Sequence, residues 1–176
     1  MDVIDPQGLC TLIPVVRGHE RVLRERIRRM PRGPRSPMIR VHGTHYARWA
    51  MVRLRDKRGD VVEREPAYLM FASEFDGSAE AYARRLCAKL GQDAHDIWCH
   101  CEGYPGRDAE ELAKFLLTHR LRPGYSVVAY PGVSVDDVRS AFALRERLND
   151  FLIRTATLDS PALHKAWEAR FRVGGR

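Results

Sequence analysis

The sequence predicts an α+β fold, and three observations support this prediction. Alternating or apolar segments typical of strands occur at residues 9–16, 45–54, 67–73 and 125–130. Segments with helical spacing of apolar residues lie between and after them, at 19–30, 78–90, 92–101, 108–120 and 134–154. Hydrophobic residues make up 44% of 176 residues, which is enough for one domain. We expect its core at about 9–153 and a C-terminal extension at 154–176.

The first strand is predicted from the apolar run at 9–16, in which Pro14 indicates an edge or a bulge. A helix follows, because Leu23, Ile27 and Met30 recur at i, i+4 and i+7. Residues 31–37 contain three prolines and a glycine, which predicts a loop.

The next two strands, 45–54 and 67–73, are predicted to form a hairpin across the polar turn at 55–60. Because side chains alternate along a strand, Arg48 shares one face with Tyr46 and Ala50. His45 shares the opposite face with Trp49.

A helix is predicted from Ser78, its N-cap, to Gly91, which ends it. Its apolar residues repeat at helical spacing at Ala79, Tyr82, Ala83, Leu86 and Leu90. A short helix at about 92–101 groups Ile97, Trp98 and Cys101 on one side, and another helix spans about 108–120. The fourth strand at 125–130, a long helix to about 154 and a weak helix around 164–171 complete the chain.

The resulting order, β-α-β-β-α(αα)-β-α, is the ferredoxin-like split βαβ plan with extra helices after the third strand. The helices of such a sheet cover one face and leave the other in need of burial. Two copies packed sheet to sheet, as a dimeric α/β barrel, would bury it. Either Val127 and Ala129 or Val128 and Tyr130 would then line an enclosed cavity.

The net charge of +7 is concentrated in one segment. Residues 17–40 contain nine arginines and two glutamates, which equals the whole excess. Such a block could bind nucleic-acid phosphates, or it could be a solvated helix face followed by a basic loop. The aromatic pattern typical of RNA-recognition modules is absent from the sequence.

The four cysteines and the acidic N-terminal segment predict a reduced, cytoplasmic protein. Cys99 and Cys101 form C-x-C instead of the C-x-x-C that is typical of zinc sites. The acidic start of the chain does not resemble a signal peptide, and no apolar run is long enough to span a bilayer.

Three residues in or just after the two predicted hairpin strands are candidates for chemistry. Arg48, in the middle of a strand, must be paired, solvated or facing a ligand. His45, at a strand start, could be a base or a ligand, or a structural hydrogen-bonding group. Asp76, between a strand and a helix, could transfer protons or cap the turn.

The run 97–106 contributes two more candidates. His100 could bind a metal or a haem iron, or could favour a helix C-terminus through its charge. Glu102 could orient His100. If these groups form one active site, we expect Arg48, Asp76 and His100 to converge on a single cavity.

Four segments together resemble bacterial proteins of the dimeric α/β-barrel type, over about residues 9–153: 45–49, 69–78, 97–105 and 129–135. The run Ser73-Glu-Phe-Asp-Gly77 is similar to the G-x-x-D-G motif of dye-decolourising peroxidases, with serine in place of the first glycine. This resemblance implies a homodimeric, oxidoreductase-like enzyme acting on a small molecule. It implies haem as a cofactor, with His100 as axial ligand and Arg48 and Asp76 on the substrate side. A cofactor-free monooxygenase, isomerase or cyclase, or a ligand-binding module, would use the same fold.

Overall fold

A computed structural model describes residues 7–55, 58–59, 66–122, 127 and 130–171, and these form a mixed α+β fold. The strands are β1 (Gln7–Pro14), β2 (Thr44–Val52), β3 (Tyr68–Phe75) and β4 (Arg120–Leu121). The helices are α1 (Glu20–Arg28), α2 (Ala79–Leu90), α3 (Gln92–Trp98), α4 (Ala109–Thr118), α5 (Val135–Thr155) and α6 (Ser160–Phe171). Two 3₁₀ turns, Gly33–Arg35 and Pro37–Arg40, occupy the proline-rich loop between α1 and β2.

The four strands form one antiparallel sheet in the order β2-β3-β1-β4. The predicted hairpin is confirmed, since β2 pairs with β3 from Thr44↔Phe75 to Val52↔Tyr68. Pro14 is the last residue of β1, where a missing N–H interrupts the ladder least.

The core lies between one face of the sheet and helices α1 to α4. Leu9, Thr11 and Ile13 of β1 are fully buried, whereas the residues between them are half-exposed. Trp98, from the segment rich in chemical groups, is also fully buried, and its ring lies 5.7 Å from that of Phe71. Three residues of the run 97–106 therefore belong to the core: Ile97, Trp98 and Cys101.

Helix α2 follows the sequence prediction closely. The Ser78 side chain accepts a hydrogen bond from the backbone N–H of Ala81 at 3.2 Å, as an N-cap does. Gly91 ends the helix with a positive φ of 51°. The predicted apolar positions are all buried: Ala79, Tyr82, Ala83, Leu86 and Leu90.

The last described strand is short. β4 (Arg120–Leu121) pairs with β1 next to Thr11 and Cys10, on the edge of β1 opposite to β3. Most of the predicted strand at 125–130 lies outside the described residues, including Val128 and Ala129. Val127 and Tyr130 are described and are 70% and 76% exposed in the single chain.

The chain divides into two compact units, residues 1–135 and 136–176. The second unit contains the remainder of α5 together with α6. Its packing centres on Phe151, whose ring contacts those of Trp167 and Phe171 at 5.5 and 5.3 Å. None of the helices in the described part of the chain combines the length and the hydropathy that a membrane span requires.

Candidate functional site

His45 is displaced from the regular ladder by a β-bulge. Thr44 pairs with Phe75 and Tyr46 pairs with Glu74, so that His45 has no partner on β3. The strict alternation expected for 45–54 therefore begins only after this residue. A bulge frees one side chain from the two faces of a sheet and re-aims it, which is why bulges are frequent at active sites.

The re-aimed imidazole contacts Asp76, the residue that follows β3. His45 Nε2 lies 2.7 Å from Asp76 Oδ1, and the two side chains are 25% and 20% exposed. Because a carboxylate only accepts, Nε2 of a neutral His45 carries the proton and Nδ1 keeps its lone pair. The structure thus brings together two of the predicted catalytic residues as an imidazole–carboxylate pair.

Asp76 is held in place by two further hydrogen bonds. Its backbone N–H donates to the carbonyl of Gly43 at 2.9 Å. Its Oδ2 accepts from the backbone N–H of Val135 at 3.0 Å, so each carboxylate oxygen has a donor. Gly43 has a φ of +79°, and a Cβ there would lie 3.5 Å from Asp76 Cβ. The glycine permits both the left-handed turn and the close approach.

Arg85 of α2 adds a positive charge beside this pair. A Cβ placed on Gly43 would lie 3.4 Å from Arg85 Nη2 and 3.6 Å from Asp76 Oδ2, so both groups border the same small space. Within the described residues, Arg85 and Asp76 form no ion pair with each other. Arg85 Nε is buried without a hydrogen-bond partner, and its guanidinium carbon lies 5.7 Å from the centre of the Tyr82 ring.

A buried hydroxyl network supports the start of β2. Tyr82 Oη lies 2.5 Å from Ser73 Oγ and 3.2 Å from Thr44 Oγ1. Ser73 and Thr44 donate their protons to the carbonyls of Tyr46 and Val41, so the tyrosine hydroxyl donates to one of them. Burial raises the pKa of Tyr82, which keeps this donor protonated. The network fixes the residues on both sides of the bulge.

Arg48 lies on the other face of the sheet from the helices. It pairs with Ala72 and is exposed. It forms no hydrogen bond or ion pair within the described residues. The predicted convergence of Arg48 with Asp76 is therefore not present in the single chain.

His100 and Glu102 lie at the opposite end of β1 from His45 and Asp76. Glu102 donates its backbone N–H to the carbonyl of Pro14, whereas Asp76 follows Phe75, the partner of Gln7. At about 3.3 Å per residue, the two ends of β1 are roughly 23 Å apart. His100 and Asp76 therefore do not share one cavity within this chain.

His100 has a neighbour that the sequence did not indicate. Its Nδ1 lies 3.2 Å from Nδ1 of His19, and the rings meet edge to face with centres 5.2 Å apart. Burial lowers the pKa of His100, and the charge of His19 lowers it further. Within the described residues, no three His, Cys, Asp or Glu side chains form a group that could hold a metal.

The described contacts of His100 are polar. Its Nδ1 lies 3.2 Å from Nδ1 of His19, and His19, Asp96 and His95 influence its titration. Its side chain is partly exposed. A haem needs a large apolar slot around its axial ligand. We therefore assign no chemical step to haem, and its binding stays a prediction.

Sequence reasoning identified His45 and Asp76 by residue type and position, but not His19, Arg85, or the Ser73–Tyr82 hydrogen bond. Tyr82 was predicted as core from its spacing, and only its buried hydroxyl contacts reveal the polar role. No family model, curated protein or solved structure matches this chain.

Proposed function

We propose that the protein is a small-molecule enzyme in which His45 and Asp76 perform general acid–base catalysis without a cofactor. The observation that supports this most directly is the 2.7 Å contact between His45 Nε2 and Asp76 Oδ1 at a β-bulge. An imidazole oriented by a carboxylate is the arrangement that proton-transfer enzymes use. This is the cofactor-free variant of the enzyme that the sequence resemblance implies.

In the proposed reaction, His45 Nδ1 removes a proton from a carbon next to a substrate carbonyl. The electron pair of the broken C–H bond moves to the carbonyl oxygen as an enolate, while Asp76 stabilises the imidazolium that forms. Arg85 supplies positive charge for the enolate or for a substrate carboxylate. Return of the proton from Nδ1 to carbon completes an isomerisation or an exchange, with no oxidant needed.

The fold supports a ferredoxin-like assignment. The strand order β2-β3-β1-β4, with antiparallel pairing throughout, is the order expected for the split βαβ plan. We further propose that a second copy covers the open face of the sheet, where Arg48 is exposed. Arg48 would then face the partner's sheet and not solvent.

Hydrogen–deuterium exchange tests the acid–base proposal. We expect the wild-type protein in D₂O to accelerate exchange at the carbon next to the carbonyl in a panel of 2-oxo acids, followed by NMR. His45→Gln removes the base and Asp76→Asn removes its orienting charge, so each should slow exchange by about 10²- to 10⁴-fold. Arg85→Met should weaken saturation by the anionic substrates.

His164→Gln is the matched control, because His164 lies on α6 and its imidazole pairs with Glu168 at 3.7 Å. This variant should exchange at the wild-type rate. Exchange that is equally fast with His45→Gln, or no faster with the wild-type protein than with buffer, would contradict the proposal. A visible spectrum recorded after adding hemin tests the haem alternative, which requires a Soret band that His100→Ala removes.

A second candidate function, nucleic-acid binding, is favoured by the arginines of α1. Arg21, Arg24 and Arg28 recur at i, i+3 and i+7, and all three are exposed. Arg17, Arg32 and Arg35 are exposed on either side of them. We define these six arginines as the α1 arginine stripe. They form no ion pair within the described residues, whereas the remaining members of the block, Arg26, Arg29 and Arg40, pair with carboxylates.

A further inference from the structure

We propose that His19 and His100 together bind one divalent transition-metal ion of the Zn²⁺ class, in a site separate from the His45–Asp76 pair. The proposal does not depend on the proposed acid–base function. It concerns the end of the sheet where β1 leads into α1.

The distance between the two imidazoles fits two ligands of one metal. Nδ1 of His19 lies 3.2 Å from Nδ1 of His100. Two Zn–N bonds of about 2.0–2.1 Å at a tetrahedral angle place their nitrogens about 3.3 Å apart. The same distance also fits a single N–H···N hydrogen bond. Titration with Zn²⁺ distinguishes a metal site from such a hydrogen bond.

The backbone holds the two histidines in this arrangement before any ion binds. Val16 donates its N–H to the carbonyl of His100 at 2.9 Å, and the carbonyl of Val16 accepts from the N–H of His19 at 2.9 Å. Val15 and Cys101 form a β-bridge next to them. One residue therefore connects both ligands, and neither has to move far to bind a metal.

Protons compete with a metal ion for imidazole nitrogens, so we expect weaker binding in acid than at neutral pH.

The site has two ligands from the described residues, so water would complete the coordination. Open zinc sites usually have three protein ligands, so a two-histidine site leaves more positions to water or a further ligand and should bind the ion less tightly. His95 is not a third ligand in this arrangement, because its Nδ1 lies 3.0 Å from the hydroxyl of Tyr104.

Calorimetric titration of the chelator-treated protein with Zn²⁺ alone tests the proposal. At about pH 7.5 we expect one equivalent to bind, with at least about tenfold weaker binding at about pH 5.5. His19→Ala and His100→Ala should each abolish the binding isotherm, and His164→Ala should leave it unchanged. In ¹⁵N NMR spectra, the Nδ1 signals of both histidines should shift on adding Zn²⁺.

Absence of binding by the wild-type protein at millimolar Zn²⁺ would overturn the proposal and leave a simple hydrogen bond. Binding that persists in either histidine variant would also overturn it, and would indicate thiols as the ligands. Circular dichroism of each variant establishes that a loss of binding is not a loss of fold.

Discussion

His45 and Asp76 are 31 positions apart in the chain and hydrogen-bonded in the structure. Each of them stands just outside regular pairing, His45 in a bulge and Asp76 one residue beyond β3. Residues in such positions contribute little to the core and are free to serve chemistry. Gly43 and the backbone N–H of Val135 hydrogen-bond Asp76, and Tyr82 hydrogen-bonds Thr44, the residue before His45.

The four thiols should differ sharply in reactivity. Burial raises the pKa of both Cys87 and Cys101 to about 12, whereas Cys10 and Cys99 are only half-buried. Because the thiolate is the nucleophile, Cys87 and Cys101 should react far more slowly with a disulfide reagent at about pH 8 than Cys10 does.

Mass spectrometry of the labelled native protein measures this order directly. After unfolding in urea, all four cysteines should react at similar rates, since burial is lost. Labelling of Cys87 in the native protein as fast as Cys10 would show that helix α2 is not packed as described.

The sequence predicts which residues are candidates for chemistry better than it predicts the contacts of those residues. Strict alternation would place His45 on the face of Trp49, and it contains no signal for a bulge. The contact with Asp76 depends on that one extra residue. The contact between His19 and His100 was not predictable either, because His19 is far from His100 in the sequence and belongs to no motif. Only the fold brings the two Nδ1 atoms within 3.2 Å of each other.

At the scale of elements, α2 was predictable almost completely, since its cap, its spacing and its terminating glycine all indicate the same helix. The strand β4 was not, because two residues cannot show a period of two. The strand β1 was found with its boundaries displaced by two residues, at Gln7–Pro14 instead of 9–16.

The α1 arginine stripe leads to a prediction about RNA binding by helix α1. If it binds nucleic-acid phosphates, Arg21→Gln together with Arg24→Gln and Arg28→Gln should weaken binding to single-stranded RNA at about 50 mM salt. Each lost phosphate contact should also reduce the slope of log K against log salt by nearly one.

Fluorescence anisotropy with a labelled oligonucleotide measures both quantities. The control replaces Arg26, whose Nη2 is paired with Asp93 at 2.8 Å and is therefore less available to phosphate. Arg26→Gln should change the affinity less than any single change in the stripe. Absence of binding by the wild-type protein at that salt would leave the stripe as a solvated surface.

At the scale of the whole molecule, the main feature is a sheet with helices α1 to α4 on one face only. The other face presents half-exposed or exposed side chains, among them Tyr46 at 50% and Leu121 at 46%. Arg48 and Glu74 also lie on this face, on neighbouring strands. A surface with one cation and one anion among apolar groups can be complementary to its own copy across a two-fold axis.

The proposed dimer predicts a molecular mass of twice 20.2 kDa by light scattering. Ala72→Arg introduces a second cation beside Arg48 in the middle of the open face, so this variant should be monomeric. Ala88→Arg makes the same chemical change on the exposed side of α2, and it should remain dimeric. A monomeric wild-type protein at micromolar concentration would exclude the dimer.

Because of the bulge, the residue at position 45 can change without changing how the sheet packs on the helices. A residue that belongs to neither face of the sheet can be exchanged without repacking the core, and its removal would leave the downstream alternation of β2 unchanged. Deletion of Arg48 would instead place Trp49 and Met51 on the face opposite to Ala47. Laboratory diversification aimed at new activities should therefore begin at position 45.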